Sequence, residues 1–260
     1  MLKKGKLQGT FNIIAKSIGT STMDHWRLKF GKIEPSVWNH GNEFRKMIVE
    51  GVEMYVVNMG VERFTPENLS EAFEQVYPAA KRLDERGVDC IIAGGSPIFA
   101  LKGAKGEDEL LDRINAEIRA PITTNLKSHV DAMKAVGAKS IIAVTPYPKE
   151  RNEERVKYLK DRGLEVVALS GINRSGPGDI DGVSSSTAYR AAVELAKESE
   201  GYDAIYISCP QWESASFIEV LEQDTGVPVI GDAQAQVWKA YQLGGISPKV
   251  EGYGQLFDTL

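Results

Sequence analysis

The sequence predicts an α/β protein built from two similar halves. Short apolar runs rich in Val and Ile alternate with longer amphipathic stretches, which is typical of parallel sheets covered by helices on both faces. Several amphipathic stretches end in a glycine just before the next apolar run, where a left-handed C-cap is expected. These glycines are Gly51, Gly87, Gly163 and Gly201.

Seven apolar runs are predicted strands because each has the length of a buried strand and is bounded by turn residues. They occupy residues 11–17, 53–60, 88–95, 140–146, 165–171, 203–210 and 227–232. The amphipathic stretches between them are predicted helices, since they are long enough for several helical turns. They occupy residues 69–87, 125–138, 150–163 and 186–201, and a last helix is expected in 232–245.

An internal repeat relates the two halves. The segment "GVDCIIAGGSP" from Gly87 aligns with "GYDAIYISCPQ" from Gly201, which sets Gly95 opposite Cys209 at an offset of 114 positions. The segments "EGVEMYVVNMG" and "RGLEVVALSG" align at an offset of 112. Two matches at nearly the same offset indicate a duplicated α/β unit.

The repeat predicts two lobes with a shared cleft. The first lobe is expected to comprise residues 1–120 and 234–260, and the second residues 121–233. Ligands of open α/β sheets bind beyond the carboxyl ends of the strands, so Gly95 and Cys209 are expected to face one cleft. Residues 23–44 form a long connection in the first half, which we interpret as packing or a lid.

Composition excludes several classes of function. The chain has 260 residues, 42% of them hydrophobic, and a net charge of −5 without a basic stripe, so no nucleic-acid partner is expected. The N-terminal apolar core is too short for a signal peptide or a membrane span, which favours a cytoplasmic protein with no membrane partner. Two cysteines and three scattered histidines lack the spacing of a zinc site, so no metal is expected.

Cys209 is the first candidate for chemistry. Cysteine is most often a buried packing residue, and Cys90, second in its apolar run, is interpreted in that way. Cys209 instead ends a strand and stands a few residues before a predicted helix. A helix dipole stabilises a thiolate and moves its pKa from about 8.5 toward neutrality, which would suit a group that both donates and accepts a proton.

Two further segments carry polar groups to the same predicted cleft. In "AGGSP", the glycines allow a ligand to approach the backbone, and Ser96 offers a hydroxyl. In "VTPYPKERNEER", Tyr147 follows a strand end, where its hydroxyl can donate to an oxyanion. The alternative for both is structural: a strand-end turn for the first, and surface packing for the tyrosine.

Several segments together resemble the aspartate/glutamate racemase superfamily, above all arylmalonate decarboxylases and maleate cis–trans isomerases. They are "IIAGGSPIFALKG", "VTPYPKERNEERVKYL", "ISCPQWESASFIEVLEQDTGVPVIGDAQAQVWKAYQLGGI" and "GYGQLF", and the resemblance runs from about residue 85 to the C-terminus. It implies two Rossmann-like parallel-sheet lobes related by a pseudo-twofold axis, with the active site in the cleft between them. Racemases and maleate isomerases of this superfamily use one cysteine per lobe, whereas arylmalonate decarboxylases have glycine at the first position. Gly95 and Cys209 match the decarboxylase arrangement.

The resemblance favours a cofactor-independent decarboxylase that acts on a small malonate-type dicarboxylate. Ser96, Tyr147 and backbone N–H groups would hold one carboxylate and stabilise the enediolate, and Cys209 would protonate it on one face. No metal or organic cofactor is required, and the oligomeric state is open. The alternatives are a maleate-type isomerase or racemase in which another residue replaces the first thiol, and a non-catalytic small-molecule binding protein.

The sequence departs from the decarboxylase pattern at the cleft. Pro210 stands where Gly or Thr is common and has no N–H to donate, although with Gln211 it is still expected to contact the substrate. Pro97, which also lacks an N–H, follows Ser96 at a position where a hydroxyl residue is usual in the decarboxylases. Lys16 and Ser17 occupy a loop that is apolar and proline-rich in the decarboxylases. A lysine is most often a solvated surface charge, but if Lys16 ends a strand at the cleft it is expected to bind a carboxylate, which favours a more polar substrate.

Overall fold

The chain folds into two parallel four-stranded sheets with the same strand order. The computed structural model describes residues 26–37 and 41–260. The sheet orders are β2-β1-β3-β4 and β6-β5-β7-β8, which confirms the α/β two-lobe prediction. The strands are β1 (Leu28–Glu34), β2 (Val52–Asn58), β3 (Cys90–Ala93), β4 (Ile122–Thr124), β5 (Ser140–Thr145), β6 (Glu165–Gly171), β7 (Ala204–Ile207) and β8 (Val229–Gly231).

Helices connect the strands, as parallel pairing requires. They are α1 (Gly41–Met47), α2 (Pro66–Glu85), α3 (Ser96–Asn115), α4 (Asn125–Ala135), α5 (Lys149–Asp161), α6 (Ser185–Glu198), α7 (Ile218–Thr225) and α8 (Asp232–Leu243). The four glycines predicted to end helical segments all have φ between 73° and 83°. Within the described part of the chain, none of these helices combines the length and the apolar character that a bilayer span needs.

The central strand of the first sheet differs from the prediction. β1 pairs with both β2 and β3, yet it lies inside the 23–44 connection that we interpreted as packing or a lid. That interpretation is wrong for residues 28–34, because "LKFGKIE" contains two lysines, a glycine and a glutamate and lacks a Val/Ile run. The strand predicted at 11–17 lies outside the described residues.

The two lobes share much of their packing. β4 pairs with β3, so the first sheet continues to Thr124, three residues past the start expected for the second lobe; the lobe boundaries themselves stay a prediction. The larger hydrophobic cluster includes Leu28 and Ile91 of the first sheet with Ile141 of the second. The helices that follow the last strand of each sheet, α4 and α8, pack against each other.

An ion-pair cluster joins α3 to the end of α5. Arg162 Nη1 lies 2.8 Å from Asp108 Oδ2, and its Nη2 lies 2.7 Å from Glu107 Oε2. The Glu107 carboxylate is fully buried and also accepts hydrogen bonds from the hydroxyls of Thr124 and Tyr158. Since a buried carboxylate needs partners, Arg162 is expected to stabilise the contact between the lobes.

We expect Arg162→Ala to lower the free energy of unfolding by about 3 kcal/mol, because it leaves Glu107 buried without its cation. Urea unfolding followed by circular dichroism measures the loss. Lys157→Ala is the matched control, since Lys157 pairs with Asp161 on the same helix but is 76% exposed. Equal losses for the two variants would contradict a stabilising role of the buried cluster.

Candidate active site

A cavity of about 40 Å³ lies where strand ends from both sheets meet. Its walls come from the end of β1, the β3–α3 turn, the segment after β5 and the segment after β7. They include six of the predicted site residues: Gly95, Ser96, Tyr147, Cys209, Pro210 and Gln211. Lys16 and Ser17 lie outside the described residues. The structure therefore brings the six residues together, and their chemical roles stay predictions.

Cys209 is held in an unusual backbone conformation. Its φ of 87° and ψ of 115° are rare for a residue with a side chain. The residue is almost completely buried, at 3% exposure. The backbone N–H donates to Asp232 Oδ2 at 3.1 Å, which fixes this geometry. Strained backbone of this kind is concentrated at functional sites, where the surrounding contacts maintain it.

The pKa of Cys209 is raised to about 12, not lowered toward neutrality as the sequence suggested. Burial is the largest cause and the charge of Asp232 adds to it, while hydrogen bonds from the Gln211 backbone and Tyr147 oppose the shift. The prediction is wrong because Cys209 precedes only a short 3₁₀ turn (Pro210–Trp212), and α7 begins much later, at Ile218. The thiol is accordingly protonated in the ligand-free site.

Tyr147 contributes a protonated hydroxyl beside Cys209. Its ring packs edge-on against Phe64, with centroids 5.4 Å apart, and the Arg155 guanidinium lies 4.7 Å from the ring centroid. Burial raises the pKa of Tyr147 well above its ordinary value, and the charge of Cys209 raises it further. The hydroxyl therefore remains a hydrogen-bond donor at any physiological pH.

Ser96 and Gly95 line the same cavity. Gly95 has a φ of 101°, and Ser96 begins α3 with its Oγ accepting a 2.8 Å hydrogen bond from Asn125 Nδ2. Because that lone pair is used, the Ser96 hydroxyl proton can be donated to a ligand. A β-carbon at position 95 would stand 2.6 Å from Ile98 Cδ1, so a side chain there would require the Ile98 side chain to move.

A buried polar chain behind Cys209 was missed by the sequence analysis. His129 Nε2 lies 3.3 Å from Asp232 Oδ2, and its Nδ1 lies 2.6 Å from the Tyr206 hydroxyl. Arg155 Nη1 donates to the same hydroxyl at 2.8 Å. Burial raises the pKa of Asp232, but the charge and hydrogen bonding of His129 and the Cys209 N–H outweigh it and lower the pKa to about 2. The available signal was a polar residue, Asp232, at the end of a predicted strand.

A second buried pair, Lys32 and Glu34, also lines the cavity. Lys32 Nζ lies 2.9 Å from Glu34 Oε1, and the side chains are 1% and 2% exposed. The two residues lie two positions apart in β1, so their side chains share one face of the strand. The sequence analysis assigned the cleft lysine to position 16, because β1 was not recognised as a strand.

Glu43 on α1 approaches the site from another side. Its side chain is fully buried and accepts a hydrogen bond from the Ala215 backbone N–H, just after the Cys209 turn. Burial raises the pKa of Glu43 to about 8, and the charge of Asp232 contributes to the shift. Glu43 therefore takes up a proton on folding throughout the range between its unfolded and folded pKa values.

No group of three or more His, Cys, Asp or Glu side chains in the described residues is arranged to hold a metal ion. Cys90 is confirmed as a core residue: it is fully buried, and its thiol lies 3.7 Å from the Ala240 carbonyl oxygen. In the described part of the chain, the Cys209 cavity is thus where a thiol, hydroxyls and charged groups converge.

Comparison with known proteins identifies the family. The family model "Arylmalonate decarboxylase" matches residues 41–257. The chain belongs to the arylmalonate decarboxylase family. This confirms the resemblance to the aspartate/glutamate racemase superfamily.

Curated relatives of this chain are named for two different reactions. The chain is 25% identical over 201 residues to an arylmalonate decarboxylase of Bordetella bronchiseptica, which covers 77% of this chain and 84% of that one. It is 26% identical over 228 residues to a maleate isomerase of Pseudomonas putida, covering 84% of this chain and 82% of that one. Both relatives are enzymes, one named for a decarboxylation and the other for an isomerisation.

The fold is shared with solved structures of the family. A liganded double mutant of arylmalonate decarboxylase superimposes with a TM-score of 0.83 at 22% identity, covering 90% of this chain and all of that one. The two-lobe architecture of this chain is accordingly that of the family.

We expect iodoacetamide to alkylate Cys209 slowly in the folded protein. With a pKa of about 12, the thiolate fraction at pH 8 is about one in 10,000, whereas about a quarter of an unfolded cysteine is ionised. The alkylation rate should rise about tenfold per pH unit from pH 8 to pH 10 without a plateau. Peptide mass spectrometry separates Cys209 from Cys90, and 6 M urea gives the unfolded reference. A plateau near pH 8 would contradict the raised pKa.

We expect the Glu43 carboxyl to make stability fall as pH rises. Its folded-state pKa is about 8 and its ordinary value is 4.5, so its contribution is fully present below pH 4.5 and is lost toward pH 8. The loss amounts to about 4 kcal/mol. Glu43→Gln should remove this part of the pH dependence in urea unfolding at pH 5 and pH 8. Glu153→Gln, on an exposed side chain, is the control, and an unchanged pH dependence in Glu43→Gln would contradict the assignment.

Proposed function

We propose that the chain is a cofactor-independent decarboxylase of a small malonate-type diacid. The observation that carries the proposal is a single protonated thiol, Cys209, in a cavity that Gly95 also lines. Inverting a stereocentre by proton transfer needs a group on each face of the substrate, whereas quenching a carbanion needs a group on one face. One thiol therefore favours decarboxylation followed by protonation from one side.

The hydroxyls of Ser96 and Tyr147 are suited to hold the carboxylate that is retained. Both line the cavity, and both can donate a proton toward it. The carboxylate that is lost would lie against an apolar wall that includes Val61, Leu69 and Ile98. Desolvation there would favour the neutral product, carbon dioxide, over the charged carboxylate.

The bond changes balance with one proton from solvent as the only other reactant. The bond between the α-carbon and the outgoing carboxylate breaks, carbon dioxide leaves, and the electron pair remains on the substrate as an enediolate held by the same hydroxyls. The Cys209 Sγ–H bond then breaks and its proton passes to the α-carbon. The resulting thiolate is stabilised by the groups that oppose its raised pKa, namely the Gln211 backbone, Tyr147 and Arg155. Solvent reprotonates the thiolate before the next turnover.

Gln211 contacts the Cys209 thiol through its side chain. Gln211 Oε1 lies 3.7 Å from Cys209 Sγ and accepts a hydrogen bond from the thiol, whereas Pro210 has no N–H to offer. The Gln211 side chain is held by Asp181 and by the carbonyl oxygen of Pro177, at 3.2 Å. We propose that Gln211 positions the thiol and that Pro210 lines the cavity without donating a hydrogen bond to the substrate.

Isomerisation is the second candidate function. The maleate isomerase of Pseudomonas putida covers as much of this chain as the decarboxylase of Bordetella bronchiseptica, at comparable identity. A maleate-type substrate would use the same thiol in the same cavity. The two reactions differ in a simple product: decarboxylation releases gas, and isomerisation does not.

We expect Cys209→Ala to reduce carbon dioxide release from a malonate panel by at least about 100-fold, the usual contribution of a positioned proton donor. The panel contains phenyl-, methyl- and hydroxymalonate together with maleate. Each compound is incubated in D₂O, and the assay measures gas release, isomerisation and the incorporation of deuterium on one face of the α-carbon. Cys90→Ala is the matched control and should retain activity, because Cys90 lies in the core away from the cavity. Maleate conversion without gas release would favour the isomerase. Ligand binding without any turnover would indicate a non-catalytic binding protein.

A further inference from the structure

The cavity contains a charged pair that the decarboxylation mechanism leaves unused. Of the described residues that line it, Lys32 and Glu34 are the charged ones. They are almost completely buried, at 1% and 2% exposure, and form a 2.9 Å ion pair. The pair belongs to β1, the strand that pairs with both β2 and β3 in the first sheet.

A buried ion pair is not explained by stability. Removing two charges from water costs more than their mutual attraction commonly returns, and apolar side chains of similar size serve a core at least as well. Elsewhere in β1 the buried side chains are apolar, since Phe30 and Ile33 are fully buried. The charged residues occur at the end of the strand that meets the cavity, which indicates a role in ligand binding.

Gly94 makes room for the charged groups at this wall. A β-carbon at position 94 would stand 2.6 Å from Lys32 Nζ and 3.3 Å from Glu34 Oε2. Glycine at this position therefore allows both groups to approach the turn that precedes Ser96. The ammonium and the carboxylate consequently border the same space as the predicted carboxylate-binding hydroxyls.

The two groups complement a specific kind of substrate. A lysine ammonium has three donors, so Lys32 can bind a carboxylate while it keeps its contact with Glu34. A carboxylate accepts up to about four hydrogen bonds, so Glu34 can accept one more from a donor on the ligand. A methyl or aryl substituent has no hydrogen-bond donor to offer this carboxylate.

We infer that Lys32 and Glu34 select a small diacid that carries a hydroxyl or ammonium group on its α-carbon. Lys32 binds the retained carboxylate beside Ser96, and Glu34 accepts a hydrogen bond from the α-substituent. The inference rests on the proposed function, because it places the substrate in the Cys209 cavity. On this inference the chain prefers malonates with a polar α-substituent over arylmalonates.

Hydroxymalonate and methylmalonate test the inference, because they have nearly the same size and differ in one donor. In the wild-type protein we expect kcat/KM for carbon dioxide release to be at least about tenfold higher for hydroxymalonate, as expected for a hydrogen bond to a charged group. The double variant Lys32→Met/Glu34→Leu should reverse the preference, since it replaces the pair by apolar side chains of similar volume. Circular dichroism and urea unfolding establish that this variant is folded.

Single variants separate the two roles. Glu34→Gln should reduce the preference for hydroxymalonate over methylmalonate, because a neutral amide is the weaker acceptor. Lys32→Met should raise KM for both compounds, because both need the carboxylate contact. Equal kcat/KM values for hydroxymalonate and methylmalonate in the wild-type protein would overturn the inference, as would an unchanged ratio in the double variant.

Calorimetric binding to Cys209→Ala distinguishes this inference from the proposed reaction. If the wild-type protein releases no carbon dioxide, but Cys209→Ala binds hydroxymalonate at least about tenfold tighter than methylmalonate, the selection stands and decarboxylation fails. The Lys32→Met/Glu34→Leu changes, added to Cys209→Ala, should then abolish the difference. If hydroxymalonate fails to bind, or binds no better than methylmalonate, the selection is overturned whatever the gas measurements give.

Discussion

The candidate site depends on one buried carboxylate, that of Asp232. It accepts the backbone N–H of Cys209 and lies 3.3 Å from His129, which continues the chain of contacts to Tyr206. The pKa of Asp232 is lowered to about 2, so the charge persists in the interior at any physiological pH. Without it, the backbone N–H of Cys209 would lose its hydrogen-bond acceptor and the ring of His129 would lose its charged neighbour. The position of the thiol in the cavity is therefore a consequence of α8 beginning with an aspartate.

The same carboxylate influences the chemistry of the thiol. Burial and the charge of Asp232 both disfavour the thiolate, so Cys209 stores a proton and is a poor nucleophile at rest. Tyr147, Gln211 and Arg155 oppose this shift and would support the thiolate once the proton has left. An acid of this kind releases its proton only to a strong base, such as a substrate carbanion. The environment thus separates proton donation from the covalent reactions that an exposed thiolate would undergo.

Much of the fold could be predicted from the sequence because its physics is local. Six of the seven predicted strands overlap strands of the structure, since runs of Val and Ile between turn residues are hard to accommodate otherwise; the seventh lies outside the described residues. β1 was missed because its burial depends on partners that only the folded sheet provides: Lys32 is buried beside Glu34, and Gly31 lies close to Leu83 of α2. β4 was missed because three residues show no periodicity.

The site was predictable only where the repeat points to it. The offset between the halves connected Gly95 with Cys209, and both line the cavity. The polar chain behind Cys209 joins residues 129, 155, 206 and 232, which are far apart in sequence, and no local pattern relates them. The direction of the Cys209 pKa shift was wrong for two reasons. The helix after this strand begins later than the sequence suggested, and burial and the charge of Asp232 depend on the tertiary structure.

The backbone conformation of Cys209 has a further consequence for how this position can change. A φ of 87° with a ψ of 115° is rare for a residue with a β-carbon and costs about 1–3 kcal/mol. Folding alone therefore gives no reason to place a thiol in this conformation. The presence of cysteine in this conformation is thus a record of selection for something other than stability.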